Sequence, residues 1–192
     1  MEFQQVVRRR RMVRNFDDRP LPPATVDAIL ENARRGPSAG FTQGVELLVL
    51  EGPEQTARYW DASGPLGGDF RWPGLRRAPL LIVLFAHEQA YLDRYAEPDK
   101  RGDGTGNWSA PYWIVDTAFA ALLALLTAVD RDLGALFFGV FHADEVRAAF
   151  GVPEEFQPVG VIAAGYPLPD EASASLRRGR RPAVDVIHRG RW

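Results

Sequence analysis

The chain of 192 residues contains no cysteine. That excludes disulfides, thiolate metal sites and cysteine nucleophiles, and it removes any record of a redox compartment. Lysine is reduced to Lys100, so 22 of the 23 basic residues are arginine, a bias that a GC-rich genome explains before any argument from heat resistance. Histidine occurs only at His87, His142 and His188, without a His-x-x-x-His pair, and no metal centre is expected. Neither a G-x-S-x-G nucleophile elbow nor a Walker loop is present. The first residues lack the apolar stretch of a secretory signal. The most apolar run, Trp113 to Val129, is interrupted by Asp116 and falls short of the roughly 20 residues that span a bilayer. A cytoplasmic protein with no membrane association is the expectation.

What is present is a globular composition, 46% apolar and 11% aromatic. A chain of this length forms one domain, residues 1–192, burying roughly 70% of its unfolded surface. Its charge is unevenly placed. The net formal charge is −2, yet five arginines fall within Arg8–Arg14 and six within Arg177–Trp192, so 11 of 23 basic residues lie at the two ends. An arginine carries five N–H donors in a fixed fork, suited to phosphate oxygens. Two such clusters gathered by folding would hold a compact anion, and a phosphate-bearing cofactor is the first candidate. The alternatives are a solvated basic face or nucleic-acid binding. The latter calls for a basic domain with interleaved stacking aromatics, and the acidic middle of the chain argues against it.

Periodicity gives the elements. Phe3, Val6 and Val7 predict a short first helix that delivers the arginines at its C-terminal end. Val26, Ile29, Leu30 and Ala33 predict a second, stopped by Gly36-Pro37. Strands are expected at Val45–Leu50, Leu80–Ala86, Ala135–Phe141 and Val159–Ala164, with a helix at Asp144–Phe150. Trp113–Leu133 reads as a long helix, apolar nearly all round, that needs cover on every side, part of it from a second subunit. Residues 87–111 read as a long loop, a candidate lid, holding Tyr91, Tyr95 and Trp108. The class is α+β.

Two segments of small and polar residues can approach a planar ligand. Pro37-Ser38-Ala39-Gly40-Phe41-Thr42-Gln43-Gly44 joins a helix to a strand, and Phe138-Gly139-Val140 closes a strand. Each by itself is equally readable as an ordinary connection.

In order along the chain, "RRMVRNF" at Arg10–Phe16, "PSAGFTQG" at Pro37–Gly44, the apolar helix near Asp116, Gly139-Val140, "FGVPEEFQPVGVIAAGYP" at Phe150–Pro167 and the closing "RRPAVDVIHRGRW" resemble the nitroreductase family of flavin enzymes. The resemblance implies a central, mostly antiparallel sheet flanked by helices, with the long buried helix at a homodimer interface. It implies FMN as cofactor, NAD(P)H as electron donor and a small-molecule acceptor (a nitroaromatic, quinone or activated alkene) reduced by a ping-pong mechanism. Arg10, Arg11 and Met12 would lie along the phosphate and ribityl chain, and Arg14 near the N1/C2-carbonyl end of the ring. Pro37, Ser38, Ala39 and Gln43 would reach the partner's flavin, while Gly139 and Val140 would meet the N5/O4 edge. Arg178 and Arg180 would complete the phosphate site, with Arg181 taking the role if the register shifts by one. No essential general acid is implied, because the cofactor carries the chemistry.

The chain departs from the family pattern in three places. Met12 stands where the family usually has Ser, Phe41 where it has Asn, and Gly44-Val45 where it has Pro-Trp. Phe41 is therefore a candidate for lining the substrate pocket, with Trp108 and Tyr112 as an aromatic lid or as plain interface packing. The same scaffold with reductive dehalogenation, flavin breakdown or a bound deazaflavin stays open.

Overall fold

A computed structural model of the chain describes residues 1–64, 72–100, 102, 104–105, 108–171 and 173–192. Among the described residues six α-helices surround a four-stranded sheet: α1 Phe3–Arg9, α2 Pro23–Ala33, β1 Val45–Glu51, α3 Gly52–Ala62, β2 Leu80–His87, α4 Glu88–Ala96, α5 Tyr112–Asp130, β3 Gly134–Phe138, α6 Ala143–Phe150 and β4 Phe156–Gly165. The strand order is β1-β2-β4-β3 and every pairing is antiparallel. Val49 faces Ile82, Ile82 faces Ile162, and Ile162 faces Phe137, so one apolar row crosses the sheet. This is the expected α+β architecture.

β2 is buried on both faces from Leu80 to Ala86, which is why its sequence is a continuous apolar run without alternation. On one face, Ile82, Leu84 and Ile162 pack beneath α2 and α5, against Val26, Ile29, Ala124 and Ala128. On the other, Leu81, Val83, Phe85 and Val161 pack against Tyr59 and Trp60 of α3 and Val146 of α6. The sheet is thus the middle of three layers.

Local sequence explains the helices that were expected. α2 opens on Pro23, whose fixed φ suits a first helical turn. Its buried residues Val26, Ile29 and Ala33 follow the helical spacing. α5 turns alanines 120, 121, 124 and 128 inward, and these small side chains let it lie close to α2 and the sheet. It ends before Gly134, which opens β3 rather than closing the helix. Among the described residues α5 alone is long and apolar enough to cross a membrane, but half of that stretch is buried in the protein. Cover is not complete: Phe119 is 41% and Leu122 is 47% exposed on its outer face.

Two helices were not foreseen. α3 buries Thr56, Tyr59 and Trp60 at helical spacing behind Pro53. The segment read as one loop from His87 to Pro111 begins with α4, of which only Tyr91 is buried. One buried ring in nine residues gives no periodic signal. Residues 101, 103, 106 and 107 of that segment lie outside the described residues.

The central row gives the first prediction. Ile162 is fully buried and contacts strands on both sides. Ile162→Ala should cost about 2–5 kcal/mol through lost burial and the cavity left behind. A shifted urea midpoint at fixed protein concentration measures it, with the far-ultraviolet circular dichroism of the folded state unchanged.

Candidate functional site

The arginine segment is held against the edge of the sheet. Met12 forms a parallel bridge with Ala135, and the Val13 N–H donates to the Ala135 carbonyl at 3.0 Å. Val13 and Phe16 are buried and Met12 packs partly against the core, while Arg11 beside them is exposed. Close approach depends on Gly134, where a Cβ would lie 2.8 Å from Val13 Cγ2. After Phe16 the chain is tied again, by Asp17 N–H to the Tyr166 carbonyl at 2.9 Å and Leu168 N–H to the Asn15 carbonyl at 2.9 Å.

Fixed in this way, the arginines have different partners. Arg9 pairs with Asp132 at 3.0 Å, and Arg11 with Asp170 at 2.6 Å. The second oxygen of Asp170 accepts the Arg14 backbone N–H at 2.8 Å, so one carboxyl group braces the segment at two points. The Arg14 guanidinium donates to the Met12 carbonyl at 3.3 Å and lies 4.9 Å from the Trp72 ring centroid, a cation–π distance. Arg10 is half-buried and, among the described residues, has no acidic partner. Beside Arg14 opens a cavity of about 690 Å³ lined by Asn15, Trp72, Gly74, Arg77 and Ser173. Arg77 donates to the Asn15 side-chain oxygen, while the Asn15 amide donates to the Pro169 carbonyl at 2.6 Å.

β3 runs parallel to this segment and leaves the sheet at Gly139-Val140. Nothing lies within 4 Å of where a Gly139 side chain would begin.

The Pro37–Gly44 segment is a rigid turn of unusual backbone. Gly40, Phe41 and Gln43 all have positive φ, at 62°, 55° and 58°. For residues with a side chain this costs about 1–3 kcal/mol each and persists only where the surroundings enforce it. They do. Asp116, 3% exposed on α5, accepts the Ala39 N–H at 2.8 Å, and Arg94 Nε donates to the Gly40 carbonyl at 2.9 Å. Within the turn, Ser38 Oγ accepts the Gln43 N–H at 2.7 Å and the Thr42 hydroxyl donates to the Ala39 carbonyl at 2.6 Å. The outcome is that Phe41 is presented to solvent at 77% exposure.

Trp108 is the centre of an aromatic cluster beside this turn. Its ring lies 4.7 Å from Tyr95, 5.0 Å from Tyr112 and 6.2 Å from Trp113, centroid to centroid. Tyr91 packs into the same cluster, and its hydroxyl donates to Asp116 at 2.8 Å. Burial first, and then the bond to Asp116, push that hydroxyl above its usual range, so it remains a donor.

Not all the expected residues come together. Arg10, Arg11, Met12, Arg14, Gly139 and Val140 share the β3 edge. Pro37, Ser38, Ala39, Phe41 and Gln43 lead into β1 on the opposite edge of the sheet, at the end where Gly139-Val140 leave β3, whereas Met12 is level with the far end of β1. Three inter-strand spacings separate those edges, roughly 14 Å. Arg178 and Arg180 sit on an exposed tail, where the described residues show no hydrogen bond or ion pair from either to the arginine segment. The sequence reading missed Asp116, Tyr91, Trp72, Arg77 and Asp170. Asp116 did carry a signal: an acid alone in an apolar helix must find donors if it is buried.

The fold is that of an α+β protein, with an arginine-bearing segment docked on the edge of its sheet. The chain belongs to the Nitroreductase family, whose profile matches residues 7–67 and 65–166, and it is an oxidoreductase. It is 26% identical to an iodotyrosine deiodinase of Haliscomenobacter hydrossis over 97% of this chain and 89% of that protein. It is 25% identical to an NADH dehydrogenase of Thermus thermophilus over 83% of each. Among solved structures, a nitroreductase family protein of Clostridium difficile 630 superposes with a TM-score of 0.76 at 20% identity, covering 100% of both chains.

The docking of the arginine segment is testable. Gly134→Val should force Val13 off the β3 edge and cost about 1–3 kcal/mol. Trypsin should then cut within Arg8–Arg14 faster than in the parent chain while the core stays resistant.

Proposed function

We propose that this protein is a homodimeric, FMN-dependent NAD(P)H oxidoreductase acting on small planar acceptors such as quinones, nitroaromatics or activated alkenes. The observation that carries the reading is the segment laid along β3, which brings Arg10, without an acidic partner among the described residues, and ring-stacked Arg14 to the strand that ends at the open backbone of Gly139. The donor set suits FMN: a cation free of acids for the phosphate, a second cation for the electron-rich end of the ring, and an open glycine for its edge. When bound, FMN supplies two-electron chemistry, taking hydride from NAD(P)H and passing it to an acceptor in a separate half-reaction.

The residues of the chain supply position and charge. Arg10 neutralises the phosphate, and Arg14 favours the reduced state by stabilising negative charge at the pyrimidine end of the ring. Trp72 and Met12 fix the Arg14 guanidinium, so little reorganisation accompanies the charge change. The Ser38–Gln43 turn acts from a second copy of the chain, since one chain holds it at the wrong edge. Three further observations support association. Phe3, Phe119 and Leu122 are exposed near the α1/α5 face, the tail exposes Leu176, Val184, Ile187 and Trp192, and among the described residues Arg178 and Arg180 form no hydrogen bond or ion pair with the arginine segment. Among relatives, an NADPH-dependent oxidoreductase of Staphylococcus aureus, 23% identical over 97% of this chain, favours a nicotinamide donor.

A second reading follows from the iodotyrosine deiodinase relative: reductive dehalogenation on the same scaffold. Two assays separate them. Purified protein should be yellow, should elute as a dimer, and should bleach with NAD(P)H and recover on adding a quinone. Release of iodide from iodotyrosine without quinone turnover would favour the second reading. Colourless, monomeric protein that binds no added FMN would overturn both.

The assignments of cations can be tested separately. Arg10→Ala with Arg180→Ala should give folded, colourless protein, each lost charged hydrogen bond weakening FMN roughly ten- to hundredfold. Stoichiometric FMN in that variant would remove the phosphate assignment. Arg14→Ala should retain flavin but make its reduction potential more negative, as read by dye equilibration.

A further inference from the structure

The strained turn is anchored by a group that the reaction itself does not require. Asp116 lies in the second turn of α5, 3% exposed, and a single oxygen, Oδ2, accepts both the Ala39 N–H and the Tyr91 hydroxyl at 2.8 Å. α5 is the helix most tightly built into the core, against α2 and the sheet, so the anchor is stiff. Tyr91 is fully buried, and its ring closes on Gly44, where a Cβ would lie 2.6 Å from Tyr91 Cε2. Asp116 therefore controls one end of the turn directly, through Ala39, and the other through Tyr91. Arg94 holds the middle, at the Gly40 carbonyl, and is itself fixed by two bonds to Asp99 at 2.8 and 2.7 Å.

We propose that Asp116 is a positioning residue, which keeps the turn in its left-handed backbone conformation and so sets how Phe41 is offered to a planar acceptor. The proposal rests on the reading of the preceding subsection, that the turn faces the flavin of a second copy. Its physical basis is the conflict between the turn's backbone and its residues. Phe41 and Gln43 at φ 55° and 58° would relax to ordinary conformations if the clamp were removed. Relaxation of these two residues would swing the Phe41 ring, now 77% exposed, away from its present direction. An aromatic held still is a better stacking surface than one that must first be ordered. Asp116 would then govern both flavin affinity, through the Ser38–Ala39 backbone, and selectivity for flat acceptors, through Phe41.

A purely structural role for Asp116 would alter stability alone, so the test reads flavin affinity and selectivity in full-length protein. FMN affinity is measured by fluorescence quenching, and kcat/KM is compared for menadione, a planar quinone, and ferricyanide, which is not planar. Phe41→Ala should lower kcat/KM for menadione at least fivefold and leave ferricyanide unchanged. Asp116→Leu should weaken FMN at least tenfold and abolish the effect of Phe41→Ala in the double variant. Asp116→Asn should restore most of both, since its amide oxygen can accept the same two donors. Should Asp116→Leu fail to fold, Asp116→Glu decides: the same acceptor one methylene further out should shift FMN affinity and the menadione-to-ferricyanide ratio at least threefold. Unchanged affinity and selectivity in folded Asp116→Leu, or in Asp116→Glu, overturn the proposal while leaving the flavin reading intact. Parent protein with no affinity for FMN overturns both together.

Discussion

One short pairing organises the molecule: the backbone of Met12 and Val13 laid along β3. A single N–H to the Ala135 carbonyl, admitted by the missing side chain of Gly134, brings a segment from the start of the chain to the edge of a sheet completed more than a hundred residues later. Because Val13 and Phe16 point into the core, Arg10, Arg11 and Arg14 must point out of it. Burial of two apolar residues thus fixes the direction of three cations. Cost and benefit are separated in space: the hydrophobic effect fixes the segment, and the charges remain available.

The electrostatics show the same economy. Five arginines within seven residues would repel one another and invite nonspecific contacts, yet the fold assigns acids to some and not to others. Asp132 takes Arg9, and Asp170 takes Arg11 together with the Arg14 backbone. Asp170 comes from the far end of the chain, so the brace is formed only when β4 is in place. Among the described residues Arg8 and Arg10 keep no acidic partner, and Arg14 is oriented against Trp72. Selective pairing converts a generally basic run into a directional site.

Much of this was legible in the sequence, for reasons that differ by element. The uninterrupted apolar run of β2 and the helical spacing of Val26, Ile29 and Ala33 report burial directly, and both elements lie where the pattern puts them. α4 was not legible, because Tyr91 is the only fully buried residue in it and its other inward contacts are made by Arg94 and Tyr95, which carry no apolar helical stripe. α3 hid behind a Gly-Pro pair that reads as a turn, although the same proline is well placed to start a helix. In the site, the arginines and glycines announced themselves by type and order. Asp170 did not, and Asp116 showed only as a lone acid in an apolar helix, since the importance of both lies in which backbone amides they meet, and those amides belong to segments distant in sequence. Opposite-edge placement of the arginine segment and the Ser38–Gln43 turn is likewise a property of strand order, which no local pattern encodes.

The tail beyond β4 leaves Leu176, Val184, Ile187 and Trp192 in water, the last of them wholly so. Apolar surface of that kind has a free-energy cost proportional to its area, at roughly 25 cal/mol per Å². In the homodimer proposed above, that cost is relieved between chains and not within one. The thermodynamic unit is then the pair, and melting temperature becomes a function of dilution. A lone protomer fresh from the ribosome is correspondingly a sticky species, whose lifetime is set by how soon it meets its twin.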